Sequence, residues 1–167
     1  MDMSVEDDIA TVAEHERVCV FKKFDETTAL AVGTRIAQLA AAKGESLAID
    51  VRFWNRQLYF YAMPGTGPDN TEWVRRKSNC VRRFNKASYA LTLRQKQSGK
   101  GFAHDDGVDP MEIAAHGGSF PIRIDGVSVI GTITVSGVPG RRDHGYVVEA
   151  ICEHLGIDYG PLALPPE

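Results

Sequence analysis

The spacing of apolar residues divides the chain into helical and strand-like stretches separated by glycine, proline and asparagine. Residues 26–43 carry the clearest helical signal, with Ala29, Val32, Ile36, Leu39 and Ala40 recurring on one side. Asp25 stands where its carboxylate can accept from first-turn amides, and Gly44 supplies a left-handed stop. The first 15 residues fit a short helix with Ile9, Val12 and Ala13 on one side, and residues 17–21 (RVCVF) alternate weakly as a strand would. In SLAIDVR, Leu47, Ile49 and Val51 share one face and Ala48, Asp50 and Arg52 the other. FWNRQ connects this stretch to the aromatic-rich QLYFYAMP, which predicts a hairpin. After the loop carrying Pro64, Gly65, Gly67 and Pro68, Asp69 or Asn70 can cap a helix that buries Trp73, Cys80, Val81 and Phe84.

Residues 87–98 read as a further helix with Ser88 near its start, followed by the polar loop GKGFAHDDGVDP. Asp109-Pro110 predicts a two-turn helix through MEIAAH, stopped by Gly117-Gly118. SFPIRI, the turn Asp125-Gly126 and VSVIGTITVSG form a second hairpin, with Val127, Val129, Gly131, Ile133 and Val135 on one face. Gly131 marks a bend or a close backbone approach. Residues 141–155 make the last helix, with Val147, Val148 and Ile151 inward and Gly156 as its stop, before an extended proline-rich tail. Two hairpins among helices predict an α+β fold: an antiparallel sheet with helices packed on it.

The 167 residues are 43% apolar and 25% charged, which excludes disordered, collagen-like and coiled-coil chains. Three scattered cysteines build no disulfide framework and fit a reducing compartment. The acidic start MDMSVEDD is unlike a signal peptide and no apolar run reaches membrane-spanning length, so a cytoplasmic protein without a membrane partner is expected. The net charge of −3 conceals an asymmetry: acids crowd the first 26 positions, whereas residues 73–104 hold none and carry nine Lys and Arg. Such a basic stretch attracts anions or pairs with the acidic segment, within the chain or in a neighbouring subunit. Few stacking aromatics and a pI near 6.0 argue against nucleic acid.

No HxxxH, HExxH or CxxC spacing occurs, so no metal site is expected from local motif, and GxSxG, P-loop and GxGxxG patterns are absent. Lys77 falls where its helix is otherwise buried, and a buried ammonium needs a negative companion. Asp50 is the first carboxylate to look for, with Asp143 a substitute. Cys80 lies among Arg76, Lys77, Arg82 and Arg83, as a reactive thiolate or as an inert buried thiol. His116, before the Gly-Gly turn, and His144, in Arg141-Arg142-Asp143-His144, are candidate axial ligands or proton carriers, or plain helix-end histidines.

FDETTA, AIDVRFWNRQLYFYAMPGTGPDN, WVRRKSNCVRRF and GGSFPIRIDGVSVIGTITVSGVPGRRDHGYVVEAI together resemble the haem-degrading-domain superfamily of GlcG-like and HbpS-like proteins. More closely they resemble its branch named uncharacterised protein family 0303. The resemblance implies an α/β sandwich with a mainly antiparallel five-stranded sheet, profilin-like in outline, and self-association into dimers or larger oligomers. Some members of the wider superfamily bind haem or corrinoid-related tetrapyrroles, which makes a haem-like tetrapyrrole the first class of anionic ligand to test. Haem-binding relatives carry a lysine and, three residues later, a threonine; here these positions hold Lys77 and Cys80. Their Gly-Gly-x-Pro element appears as Gly117-Gly118-Ser119-Phe120-Pro121 with one added residue, their glycine-serine turn as Ser136-Gly137, and their helix-opening acid as Asp143.

The chain is thus expected to form an acidic arm (1–15), one HbpS-like domain (16–158) and a tail (159–167). Its expected ligand-binding set is Arg76, Lys77, Cys80, His116, Gly117, Gly118, Asp143 and His144. Binding protein, haem-degrading enzyme and assembly scaffold all remain open readings, since no acid–base dyad is visible.

Overall fold

The computed structural model describes residues 4–166. Helix α1 (Val5–Val18) opens on Ser4, whose hydroxyl accepts from the Asp7 amide while the Asp7 carboxylate accepts from the Ser4 amide. Helix α2 (Glu26–Ala42) is capped as its sequence predicts: Asp25 Oδ1 accepts from Thr28 N at 2.9 Å. Strands β1 (Ala48–Phe53) and β2 (Arg56–Ala62) form the first hairpin, and β3 (Ser119–Arg123) and β4 (Val129–Ser136) the second. The two hairpins join through β1 and β4, giving the all-antiparallel order β2-β1-β4-β3. Gly131 is the predicted close approach, since a Cβ there would lie 1.9 Å from the Arg52 carbonyl oxygen.

Helices α3 (Pro68–Phe84), α4 (Ser88–Ser98) and α5 (Gly140–Leu155) complete the domain. Helices α2 and α5 pack on one face of the sheet and α3 on the other, leaning on β4, β3 and β1. The alternation of strand residues makes these faces chemically different. Ile49, Val51, Phe120, Ile122, Ile133 and Val135 meet α2 and α5 in the main core. On the α3 side the sheet presents Asp50, Ser119, Thr132 and Thr134, all fully buried. The three hydroxyls are satisfied by one another and by α3: Ser119 Oγ and Thr134 Oγ1 lie 2.8 Å apart, and Ser78 Oγ and Thr132 Oγ1 2.7 Å.

The sheet has four strands rather than five. Residues 17–21 cannot form the extra strand because α1 runs through Val18; only Phe21 pairs, as a single parallel bridge to Ile124. The two-turn helix expected after Pro110 is likewise one turn. The amides of Glu112 and Ile113 both bond the Asp109 carbonyl, but the Ala114 amide turns away to Arg76 O at 3.1 Å. Val127 sits in the hairpin turn, 71% exposed, so the return strand begins at Val129. The cap of helix α3 lies two residues before the earlier of the expected caps: Gly67 takes the cap position and Asn70 Oδ1 accepts its amide. The tail contains a 3-10 turn, Gly160–Leu162, whose Leu162 packs with Leu164 against the main core. Helix α1 contributes Val12 to that same core.

Candidate functional site

The N-terminal half of α3, the end of β4 and the first turn of α5 enclose a shallow cleft of about 260 Å³. Lys77 lies at its base, 3% exposed. Its Nζ donates to Asp143 Oδ2 at 2.8 Å and to the Val135 carbonyl at 3.1 Å. The inward ammonium therefore has its negative companion, and the companion is Asp143. Asp50 is held by Arg52, whose Nε and Nη2 donate to its two oxygens at 2.7 and 2.8 Å, with Gln57 donating at 2.6 Å. Asp143 Oδ1 also accepts from Val138 N at 3.2 Å. Burial pushes the Asp143 carboxyl up to about 6, with Lys77 and the amides of Val138 and Gly137 opposing that rise.

Gly118 allows this pair to form. Its φ is +132°, and a Cβ there would stand 2.5 Å from Val135 O, 2.9 Å from Lys77 Nζ and 3.0 Å from Asp143 Cβ. A Cβ on Gly117 would meet the Gly140 carbonyl oxygen at 2.2 Å. The two glycines thus act behind the pair, letting the β3 approach press against α5.

The upper wall is Trp73, on the same helix face as Lys77 and His116's neighbour. The Trp73 and His116 rings meet edge to face with centroids 4.9 Å apart, and the Arg76 guanidinium lies over Trp73 at 4.8 Å. His116 keeps an exposed edge, and the partial burial of its ring together with the charges of Lys77 and Arg76 lowers its pKa. Among the described residues it makes no hydrogen bond. Arg76 donates through one terminal nitrogen to Pro110 O at 2.7 Å, while its Nε is buried without a partner. Asn70 and Ser136 close the far side, with Asn70 Nδ2 3.4 Å from Ser136 Oγ.

Lys77, His116 and Asp143 come together at the cleft, with Arg76 beside it and Gly117 and Gly118 behind. Cys80 and His144 do not join them. Cys80 is fully buried in a separate small cluster with Leu91 and Ala115, and burial pushes its thiol up to about 12, so the surrounding basic residues produce no thiolate. His144 follows Asp143 on α5 but points into the main core. Its Nε2 lies 3.0 Å from His15 Nδ1, and His15 Nε2 lies 2.7 Å from the Leu162 carbonyl. Since a carbonyl only accepts, His15 carries its proton on Nε2 and receives the one on His144 Nε2. Both rings are neutral, and burial holds the His144 pKa well below the usual imidazole value. Sequence reading did not foresee this pair, because 129 residues separate its members. Asn70 and Ser136 were not in the expected ligand-binding set; Asn70 was read as a helix cap and Ser136 as the counterpart of the relatives' glycine-serine turn.

Haem is the group the family resemblance implies, and the donor set fits its contact chemistry in two respects. His116 presents an unengaged imidazole of the kind that ligates haem iron, and Arg76 keeps an unpartnered buried N–H suited to a carboxylate. The cleft is shallow, so it would receive one edge of a macrocycle rather than enclose it.

Comparison with known proteins agrees with the fold. Residues 24–152 match the family model described as haem degrading protein HbpS-like. A UPF0303 protein of Acidobacterium capsulatum is 46% identical over 163 residues, covering 98% of this chain and 99% of that protein. Among solved structures, Ybr137w superposes with a TM-score of 0.79 at 23% identity, over 89% of this chain and 87% of that one. A complex of PduOC with heme gives a TM-score of 0.62 at 19% identity, over 74% of this chain and 90% of that one. With the fold, the paired lysine and the glycine-supported cleft in place, the chain belongs to the UPF0303 family of HbpS-like proteins.

Proposed function

We propose that this protein is a binding protein for an anionic planar ligand, a haem-like tetrapyrrole being the leading class, taken up at the cleft between α3 and α5. One observation carries the reading: the Trp73 ring, which lines the cleft with Lys77 and Asp143, meets the His116 imidazole on one side and the Arg76 guanidinium, whose Nε has no hydrogen-bond partner, on the other. The aromatic wall suits a flat ring, the guanidinium a carboxylate and the imidazole a metal centre. The solved heme complex of a protein with this fold supports the ligand class. When bound, haem would supply redox chemistry; the chain's own residues would hold and orient it. Haemin titration tests the reading. A saturable absorbance band is expected, shifted in His116→Ala and weakened at least tenfold in Arg76→Leu; no saturable band, or one indifferent to both changes, overturns it. Turnover of bound haemin with a reductant would convert the binder into an enzyme.

Self-association is a second reading with its own observation. Edge strand β2 leaves Phe60 and Tyr61 40% and 42% exposed, and an aromatic edge favours pairing with another copy. Light scattering reads it: an assembly larger than 18.3 kDa that shrinks in Phe60→Lys is expected, and a monomer at all concentrations overturns it.

A further inference from the structure

Helices α1 and α4 do not close on each other along their full length. Between them lies a groove of about 530 Å³, twice the volume of the α3–α5 cleft and within the range of small-molecule sites. Its floor is apolar and tightly built: Val12, Leu91 and Leu93 are no more than 4% exposed, and Ile9, Ala90 and Phe84 form the walls. Helix α1, which supplies one wall, precedes the stretch matched by the HbpS-like family model, so the groove is only partly built from that shared domain.

The rim is positively charged. Lys86 and Arg94 line it, and among the described residues Arg94 forms no hydrogen bond or ion pair. Glu16 is the one acid lining the groove, and it is already engaged: Oε1 accepts from the Ala87 amide at 2.9 Å and lies 4.0 Å from Arg123. Arg94 also borders a second, smaller hollow of about 260 Å³ that carries Lys100 at its edge. A slot with a buried apolar floor and an unpaired guanidinium at its mouth calls for a ligand with an apolar body and one anionic end. The channel runs between two helices, so an extended chain suits it better than a disc.

We propose that the α1–α4 groove binds a fatty-acid-like carboxylate, its chain on Val12, Leu91 and Leu93 and its head on Arg94. This proposal stands apart from the α3–α5 cleft. The test uses the full chain and laurate below its micellar concentration, read by displacement of a fluorescent fatty acid. Wild-type protein should bind saturably, Arg94→Glu should weaken binding at least tenfold, and Ala13→Trp, which fills the groove from its exposed wall, should abolish it. Arg94 is exposed, so Arg94→Glu keeps the fold and the test survives if Ala13→Trp does not. Dodecylamine should fail to compete. Absence of saturable binding, indifference to Arg94→Glu, or equal binding of dodecylamine overturns the proposal. So does a wild-type dimer that Ala13→Trp splits into monomers, which would give the groove to a second copy.

Discussion

Asp143 and His144 are adjacent on the first turn of α5, yet they serve opposite regions of the molecule. Asp143 faces the polar side of the sheet, where Lys77 neutralises it at the base of an open cleft. His144 faces the apolar side, where it is fully buried, pairs with His15 and remains uncharged. A charged pair tolerates burial where backbone carbonyl and amide groups add hydrogen bonds, as Val135 O and Val138 N do here. A site packed against Tyr89 and Phe120 rings offers little such solvation and selects neutral imidazoles. The same turn of helix therefore couples a candidate binding site to the clamp that holds helix α1 and the tail. Arg141 completes that clamp by donating to Asp8 on α1 and, through two nitrogens, to Pro165 O in the tail.

Breaking the charged side should cost most. Lys77→Met or Asp143→Leu alone leaves an unpaired buried charge, and each should lower unfolding stability by about 3–5 kcal/mol in urea titrations. The double variant Lys77→Met/Asp143→Leu should recover most of that loss; a double variant as unstable as the worse single one would mean that shape, not charge, governs the region. Next comes Gly118→Ala. Left-handed backbone strain contributes on the order of 1–3 kcal/mol, and the clash with Lys77 Nζ adds a displacement of the pair. Haemin affinity should fall with it, whereas Gly126→Ala, at a turn glycine with open space around it, should disturb stability without touching binding.

The neutral side can be sharpened by pH. The native pKa values of His15 and His144 are lowered, so the unfolded chain binds protons first as pH falls through 6.5. Stability is thus fully present above that pH and is lost on acidification, by roughly 1 kcal/mol between pH 7.5 and 6. Asp143 works the other way. Its raised native pKa makes the folded chain the better proton binder between about 6 and the ordinary aspartate value of 3.8, which offsets part of the histidine loss below pH 6. A His15→Gln/His144→Gln variant should show a flatter profile from pH 7.5 to 6; an unchanged slope would assign it to other groups, His116 first among them. The smallest effect is expected at Arg75, whose pairs with Glu72 and Glu112 are exposed. Arg75→Ala should change stability by less than about 1 kcal/mol.

Local sequence was a good guide wherever a residue's role was set by its near neighbours. Asp25 reads as a cap, Gly44 and Gly156 as left-handed stops, and Asp125-Gly126 as a hairpin turn, because the hydrogen bonds at each close within a few residues of chain. It was a poorer guide where the chain's hydrogen bonds left the segment. The MEIAAH helix fails because the Ala114 amide bonds Arg76 on α3, and residues 17–21 stay unpaired apart from Phe21 because α1 claims their first half.

The candidate site divides along the same line. That Lys77 turns inward follows from helical spacing alone, since its neighbours at buried positions fix which side of α3 faces the sheet. That its partner is Asp143 rather than Asp50 does not, because Arg52 sits two residues from Asp50 on the same strand face and takes both of its oxygens. The sequence by itself determined which residues could not face water. The tertiary structure decided which of them share a site: it removed Cys80 to an apolar cluster, turned His144 into the core and left His116 free beside Trp73. Burial is a property of periodicity within one element, whereas partnership is decided by the distance between elements, which only the packed sheet and helices set.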